Sequence, residues 1–300
     1  MSESSFGRGI FFSVSAYLLW GILPLFWKLL VSIEPARILA FRILFSLILV
    51  SVILLARKDF SWVKIFKNRK EGILLILAAI TVSFNWGLFI WAVNTGHTIE
   101  VALGYYINPL ISVMLGLLVF REKINALQTT AFLLAAAGVV IQTVLTGSLP
   151  WISIGLALSF GLYGLLKKTI KLSALQSLGS ETLIASPLGV FLLAFSFRAG
   201  GIYPDIDGLS YIAGLPVFIL LLLPICGVVT TLPLYLFAKS VKLLPLSTVG
   251  FMQFLAPTLN FFMGVFIFRE AFPSHNFIVF GFIWIAVILY VISLWRKNPV

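Results

Sequence analysis

The chain has 300 residues, 61% hydrophobic and only 10% charged, against roughly 25% charged in soluble domains, which excludes a water-soluble globular protein and indicates one built into a bilayer. Its net charge of +11 does not argue for nucleic acid, because Lys and Arg fall in short clusters between long apolar runs, as topology signals do. A single cysteine, Cys226, excludes an intrachain disulfide and a thiolate zinc cluster.

A helix needs about 20 apolar residues to cross the hydrocarbon. Cutting the chain at charges, Pro/Gly clusters and polar turns predicts ten spans, near 9–31, 36–56, 72–93, 101–120, 126–145, 150–167, 177–197, 214–238, 246–268 and 275–295. Met1 to Gly7 is polar and the run after Arg8 has no small-residue cleavage site, so the first span is expected to stay in the mature chain. It holds Pro24, a hinge that frees a backbone carbonyl, and then Lys28, a cation that either snorkels outward or faces a pocket. The second span holds Arg42, about six residues or roughly 9 Å below its outer edge. An ionised group at that depth is functional by default, and a planar donor fork suits a carboxylate or phosphate; the alternative is an arginine that is structurally paired or snorkels.

The third span contributes Asn85 and Trp86, and the fourth Tyr105, Tyr106 and Asn108 beside the hinge Pro109. Aromatic faces and amides at this depth either bind a solute or simply pack. The fifth and sixth spans are separated only by Thr146-Gly147-Ser148-Leu149-Pro150. Glu181 in the seventh is a carboxyl that either loads and releases a proton in a coupled cycle or pairs with the lysine-rich inner loop. The eighth is bent by Pro224 and Pro233, and the ninth carries Gln253 and the hinge Pro257.

The fourth span returns in the ninth. Val101–Glu122 aligns without a gap on Val249–Glu270, pairing Pro109 with Pro257, Gly116 with Gly264, and Phe120-Arg121-Glu122 with Phe268-Arg269-Glu270. Two copies of one unit are therefore predicted, residues 1–148 and 149–300. The positive-inside rule puts both termini in the cytoplasm: Arg57, Lys58, Lys64, Lys67, Arg69 and Lys70 form the heaviest inner loop, while Arg37, Arg198 and Arg269 fall outside. Five spans per copy is an odd number, so the second copy is inverted. Inverted repeats recur in secondary transporters, where the halves enclose a site opened to alternate sides. The Arg-Glu stops are expected to be helix caps or gate pairs. Gln253 stands opposite Tyr105 and Ala256 opposite Asn108, an identical frame with unlike residues, as an asymmetric solute would require.

Several stretches resemble the RarD branch of the EamA-type transporters, in the drug/metabolite transporter superfamily. They are Ala16-Tyr17-Leu18-Leu19-Trp20-Gly21, Asn85-Trp86, Leu103-Gly104-Tyr105-Tyr106-Ile107-Asn108-Pro109-Leu110, Thr230-Thr231 with Pro233-Leu234, Gly250-Phe251 with Gln253, and Phe282-Ile283-Trp284. The resemblance implies an all-α integral membrane protein of ten transmembrane helices in two inverted five-helix repeats, in a bacterial inner membrane, moving a small solute. It implies no particular substrate. Where relatives show a Glu and a His before the second-span arginine, this chain has Arg37 and Phe41, so a neutralising pair for Arg42 is absent or is supplied by Glu34.

Enzymatic chemistry has no support: there is no Gly-rich nucleotide loop, His97 and His275 have no second ligand at metal spacing, and no cofactor is expected. The expected function is secondary active transport of small organic solutes by alternating access, with anionic or zwitterionic cargo such as amino acids, and with protons as a candidate coupling ion. The alternatives are a membrane-embedded enzyme on amphipathic substrates and a noncatalytic drug-tolerance factor. The expected partners are the solute and the lipid bilayer, with the chain a monomer or homodimer.

Overall fold

In a computed structural model of the chain, the structure describes residues 3–64, 68–147, 151–198, 214–267, 269 and 276–295. Lys67, the Ser148-Leu149-Pro150 separator, Phe268 and Glu270 of the second stop, His275, and the basic pair Arg296-Lys297 lie outside the described residues.

The described residues form helices and contain no strand: α1 (Glu3–Leu29), α2 (Pro35–Ala56), α3 (Ser61–Lys64), α4 (Arg69–Asn94), α5 (Thr98–Val119), α6 (Ala126–Thr146), α7 (Trp151–Thr169), α8 (Ala174–Arg198), α9 (Val217–Leu243), α10 (Leu246–Gln253), α11 (Leu255–Phe262), a π turn over Met263–Ile267, and α12 (Asn276–Trp295). Eight of these segments are long and apolar enough to cross a membrane, with Leu246–Ile267 counted as one. The sixth predicted span is α7, whose 19 residues end on Lys167 and Lys168 and are correspondingly less apolar; the tenth is α12, with 20 residues. Large apolar side chains on the outer faces, such as Phe11, Leu118, Val144 and Leu221, are about two-thirds exposed or more. That surface suits lipid, where the helices satisfy their own backbone.

Helix ends follow local sequence. Pro35 starts α2 at a position where no N–H is needed. Asn125 and Gln128 form a reciprocal capping box at α6, and Gly147 ends that helix at φ 70°, in the left-handed region open to glycine. Pro109 stays inside a continuous α5, whereas Pro257 has no N–H for the carbonyl of Gln253, and the chain turns at Phe254 between α10 and α11.

Most packing runs between the two halves. α2 lies on α8, α5 on α10 and α6 on α12; α1 lies on α9 much as α7 lies on α4, and α1 on α11 much as α7 on α5. Register gives the directions. Ile43 and Leu44 meet Gly189 while Val50 and Leu54 meet Gly179, so α2 and α8 run antiparallel. Pro109 and Val113 meet Gly250 while Gly116 meets Ser247, so α5 and α10 do too. At Gly250 an added Cβ would stand 2.8 Å from the carbonyl oxygen of Pro109, and at Gly227 one would stand 2.6 Å from the backbone of Phe45. Glycine is what lets these backbones approach.

Candidate functional site

Among the described residues, three polar groups are built on charged side chains packed against other helices. The first is built on Arg42. Its Nε donates to Thr230 Oγ1 of α9 at 3.1 Å, and its Cζ sits 5.0 Å from the ring centre of Trp27 and 4.9 Å from that of Trp86. The Cys226 thiol of α9 and the Tyr105 phenol of α5 lie near it. Helices α1, α2, α4, α5 and α9 therefore converge here, drawn from both halves. A guanidinium has five N–H donors, and among the described residues Arg42 spends one, with no carboxylate beside it. Glu34 does not neutralise it: its Oε2 lies 3.3 Å from Nε of Arg37, one turn further on in α2. Arg37, expected at the outer edge, is buried.

The predicted site residues divide around this centre. Trp86 and Tyr105 belong to it, Tyr105 being 43% exposed with its ring 6.2 Å from that of Phe89. Tyr106, the next residue, points elsewhere and packs edge-on against Phe280 of α12 at 5.5 Å. Asn108 has its Oδ1 buried without a partner. Gln253 is buried and donates to Ser112 Oγ of α5 at 3.0 Å, so it ties the two repeated helices together. Lys28 is exposed in the last turn of α1, next to Trp27. Trp27 and Thr230 escaped residue-by-residue reading, since neither carries charge; Trp27's position beside Lys28 and one turn past Pro24 was the available cue.

The second group surrounds Glu181. Lys167 Nζ donates to Glu181 Oε1 at 2.7 Å and to Ser177 Oγ, and Tyr163 Oη donates to Glu181 Oε2 at 3.0 Å. Lys167 is wholly buried and Glu181 nearly so. The predicted sixth span, 150–167, puts Lys167 at the edge of the lysine-rich inner loop; the helix continues to Thr169 and Lys167 is buried. Two i, i+4 spacings, Tyr163 with Lys167 and Ser177 with Glu181, were the signal that these groups share facing helix surfaces. Glu181, Tyr163, Trp86, Thr230 and Thr231 line a cavity of about 20 Å³, room for a single water. Thr231 Oγ1 is buried in it without a partner.

The third group lies at the end of α5. Arg121 adopts φ 53° and turns Glu122 onto the start of α10, whose N-cap position, Pro245, offers no side-chain cap. Glu122 accepts from Leu246 N at 2.6 Å and from Ser247 N and Oγ at 2.9 and 2.8 Å, with Lys168 Nζ at 3.6 Å. The first Arg-Glu stop is thus a cap, but for a helix of the other half, where free N–H groups and the helix dipole favour an anion. Asn85 of α4 makes a further link between halves, donating to Leu156 O and Ser159 Oγ of α7, both at 2.9 Å.

A bundle this apolar, with a charged, partly open site where both halves meet, defines a membrane transporter of small molecules. The chain belongs to the EamA-like transporter family, in its RarD branch. The family model matches residues 7–144. A Bacillus subtilis strain 168 protein called "Uncharacterized transporter YojE" is 39% identical, over 99% of this chain and 98% of the relative. "Protein RarD" of Streptomyces exfoliatus is 37% identical over 96% and 89%, and that of Escherichia coli strain K12 is 34% identical over 95% and 94%. A solved structure described as "Crystal structure of protein" superposes with a TM-score of 0.70 at 14% identity, over 98% of this chain and all of that one, and so shares the fold. The protein is a multi-pass drug/metabolite-type transporter of the bacterial inner membrane, and the relatives named as transporters point away from an enzyme.

Proposed function

We propose that the chain is a secondary active transporter that carries small organic solutes by alternating access, with the cargo held at Arg42 between Trp27, Trp86 and Tyr105. The observation that carries this reading is the guanidinium at span depth with most of its donors unspent, where helices of both halves meet. A charge at span depth with donors left unused is costly, and an anionic or zwitterionic ligand would satisfy them.

The frame is two five-helix repeats, residues 1–148 and 149–300, inverted, with ten spans and both termini in the cytoplasm. Support comes from the antiparallel pairing of α2 with α8 and α5 with α10, which an axis in the membrane plane requires of equivalent helices, and from a family match that covers one such unit. Pro24, Pro109 and Pro257 are hinge candidates, and Lys28, Tyr106, Asn108 and Gln253 stay as secondary positions that rearrangement would bring to the cargo. Glu181 is the proton-coupling candidate, acting through its pairing with Lys167 and Tyr163. The carrier works as a monomer or homodimer. Solute counterflow in proteoliposomes tests the reading: flux that falls in Arg42→Ala while the protein still inserts supports it, and continuous channel current without solute exchange would overturn it. For coupling, an unchanged response of Glu181→Gln to a pH gradient removes Glu181 from the cycle.

A further inference from the structure

We infer that the cargo is a monoanion with a flat apolar body, not a zwitterion or a cation; this rests on the transporter reading and narrows its ligand. The argument is a census of charge. The seven acids among the described residues are Glu3, Glu34, Asp59, Glu71, Glu100, Glu122 and Glu181. Glu34 lies at ion-pair distance from Arg37, and Asp59 accepts from Ser61 and Gln176. Glu71 accepts from Lys171 N, and Glu122 caps α10. Glu3 and Glu100 stand in the first turns of α1 and α5, at helix ends. Only Glu181 is at span depth, and Lys167 at 2.7 Å neutralises it. Arg42 is left as a mid-span charge with no carboxylate among the described residues, and guanidinium does not shed its proton. One negative charge balances the site; an added ammonium would not.

Geometry narrows the class further. Trp27 and Trp86 cover Arg42 at 5.0 and 4.9 Å and Thr230 holds Nε, so the two amino groups at the end of the fork remain. That edge matches a carboxylate, which accepts two parallel N–H bonds in one plane. The surrounding surface is aromatic, with Tyr105 presenting an open ring, and suits a flat apolar group. An α-amino acid would put an ammonium a few ångströms from the guanidinium, where like charges repel. The oxygen on α5 that lacks a partner, Asn108 Oδ1, is buried and not offered.

The experiment compares three probes sharing one body, 3-phenylpropionate, phenylalanine and phenethylamine, against sodium chloride at equal ionic strength. Binding is read as thermal stabilisation of the full-length chain in nanodiscs, and transport as counterflow in proteoliposomes. 3-Phenylpropionate is expected to bind at least about tenfold tighter than phenylalanine, and phenethylamine to give no shift. Arg42→Gln should abolish the difference, and Trp86→Leu should weaken the acid while keeping the order; this second variant carries the test should the first not fold. Equal or tighter binding of phenylalanine or phenethylamine, protection by chloride equal to that of the acid, or no shift with any probe would overturn the inference. The order intact without counterflow would keep the ligand class and remove the carrier cycle, whereas flux of phenylalanine or phenethylamine alone would do the reverse.

Discussion

Among the described residues, two charged groups lie at span depth, and their neighbours make them opposites. Around Lys167 and Glu181 the charges meet at 2.7 Å, with Ser177 and Tyr163 supplying further hydrogen bonds. Around Arg42 the walls are indole rings and one threonine hydroxyl. A pair that is closed on itself holds two helices together, while an ion whose donors are left over is, under the proposed function, where the cargo would bind. Burial alone does not distinguish the two; the partner list does.

Breaking the closed pair should have the largest effect on folding. Glu181→Gln or Lys167→Met alone leaves a buried charge or polar group uncompensated and is expected to destabilise by about 3–5 kcal/mol, whereas Lys167→Met with Glu181→Leu together should recover most of the loss. Unfolding in bicelles checks this, and a double variant no better than the singles would show that the pair is not acting as a unit. Arg42→Ala should do the reverse. It gives up the bond to Thr230 and two indole contacts but also removes a charge that the bilayer penalises, so the melting temperature moves little, while solute binding loses a charge-assisted contact of about 1.5–3 kcal/mol, roughly tenfold or more in affinity. Wild-type counterflow in that variant would erase the contrast between the two regions.

How far this contrast could be read in advance differs by level. The membrane class and the helical fold were legible because they rest on apolar run length. Arg42 and Glu181 were legible as ions out of place. Which of them had a partner was not, because α7 carries Lys167 inward only through a last turn that the two lysines made look like a loop. Tyr105 and Tyr106 are adjacent in sequence, yet consecutive helix positions point about 100° apart, and Tyr105 lies near Arg42 while Tyr106 packs on Phe280. Gln253 looked like a pocket residue, but its partner Ser112 is on the facing copy, a contact set by crossing geometry that single-helix patterning does not contain.

The contrast has a smaller version at the α5 terminus, where Glu122 is spent on capping α10. Glu122→Ala is expected to cost about 1 kcal/mol, the ordinary worth of a cap, and to raise exchange at the amides of Leu246 and Ser247. Gly116→Ala should act in the same direction, since its Cβ would stand 2.5 Å from Glu122 Oε2 and 2.9 Å from Ser247 N. Slow, unchanged exchange at both amides in Glu122→Ala would mean the helix start is held by something else.

The smallest expected effect is at Asp59, a carboxylate outside the spans. The Ser61 hydroxyl, then the Ser61 N–H and the Gln176 amide donate to it and hold its carboxyl below the ordinary 3.8. A depressed folded value means that the stabilisation is complete above 3.8 and is lost as the pH falls through that lower value. Water screens a group this near the surface, so the size is modest. Between neutral pH and about pH 5 the wild type and Asp59→Asn should therefore differ by a constant offset in melting temperature, and the offset should shrink only on going below the ordinary carboxylate range. An offset that instead grew on acidification would mean the neutral form of Asp59 is the one the fold prefers, and would reverse the assignment of Ser61 and Gln176 as its donors.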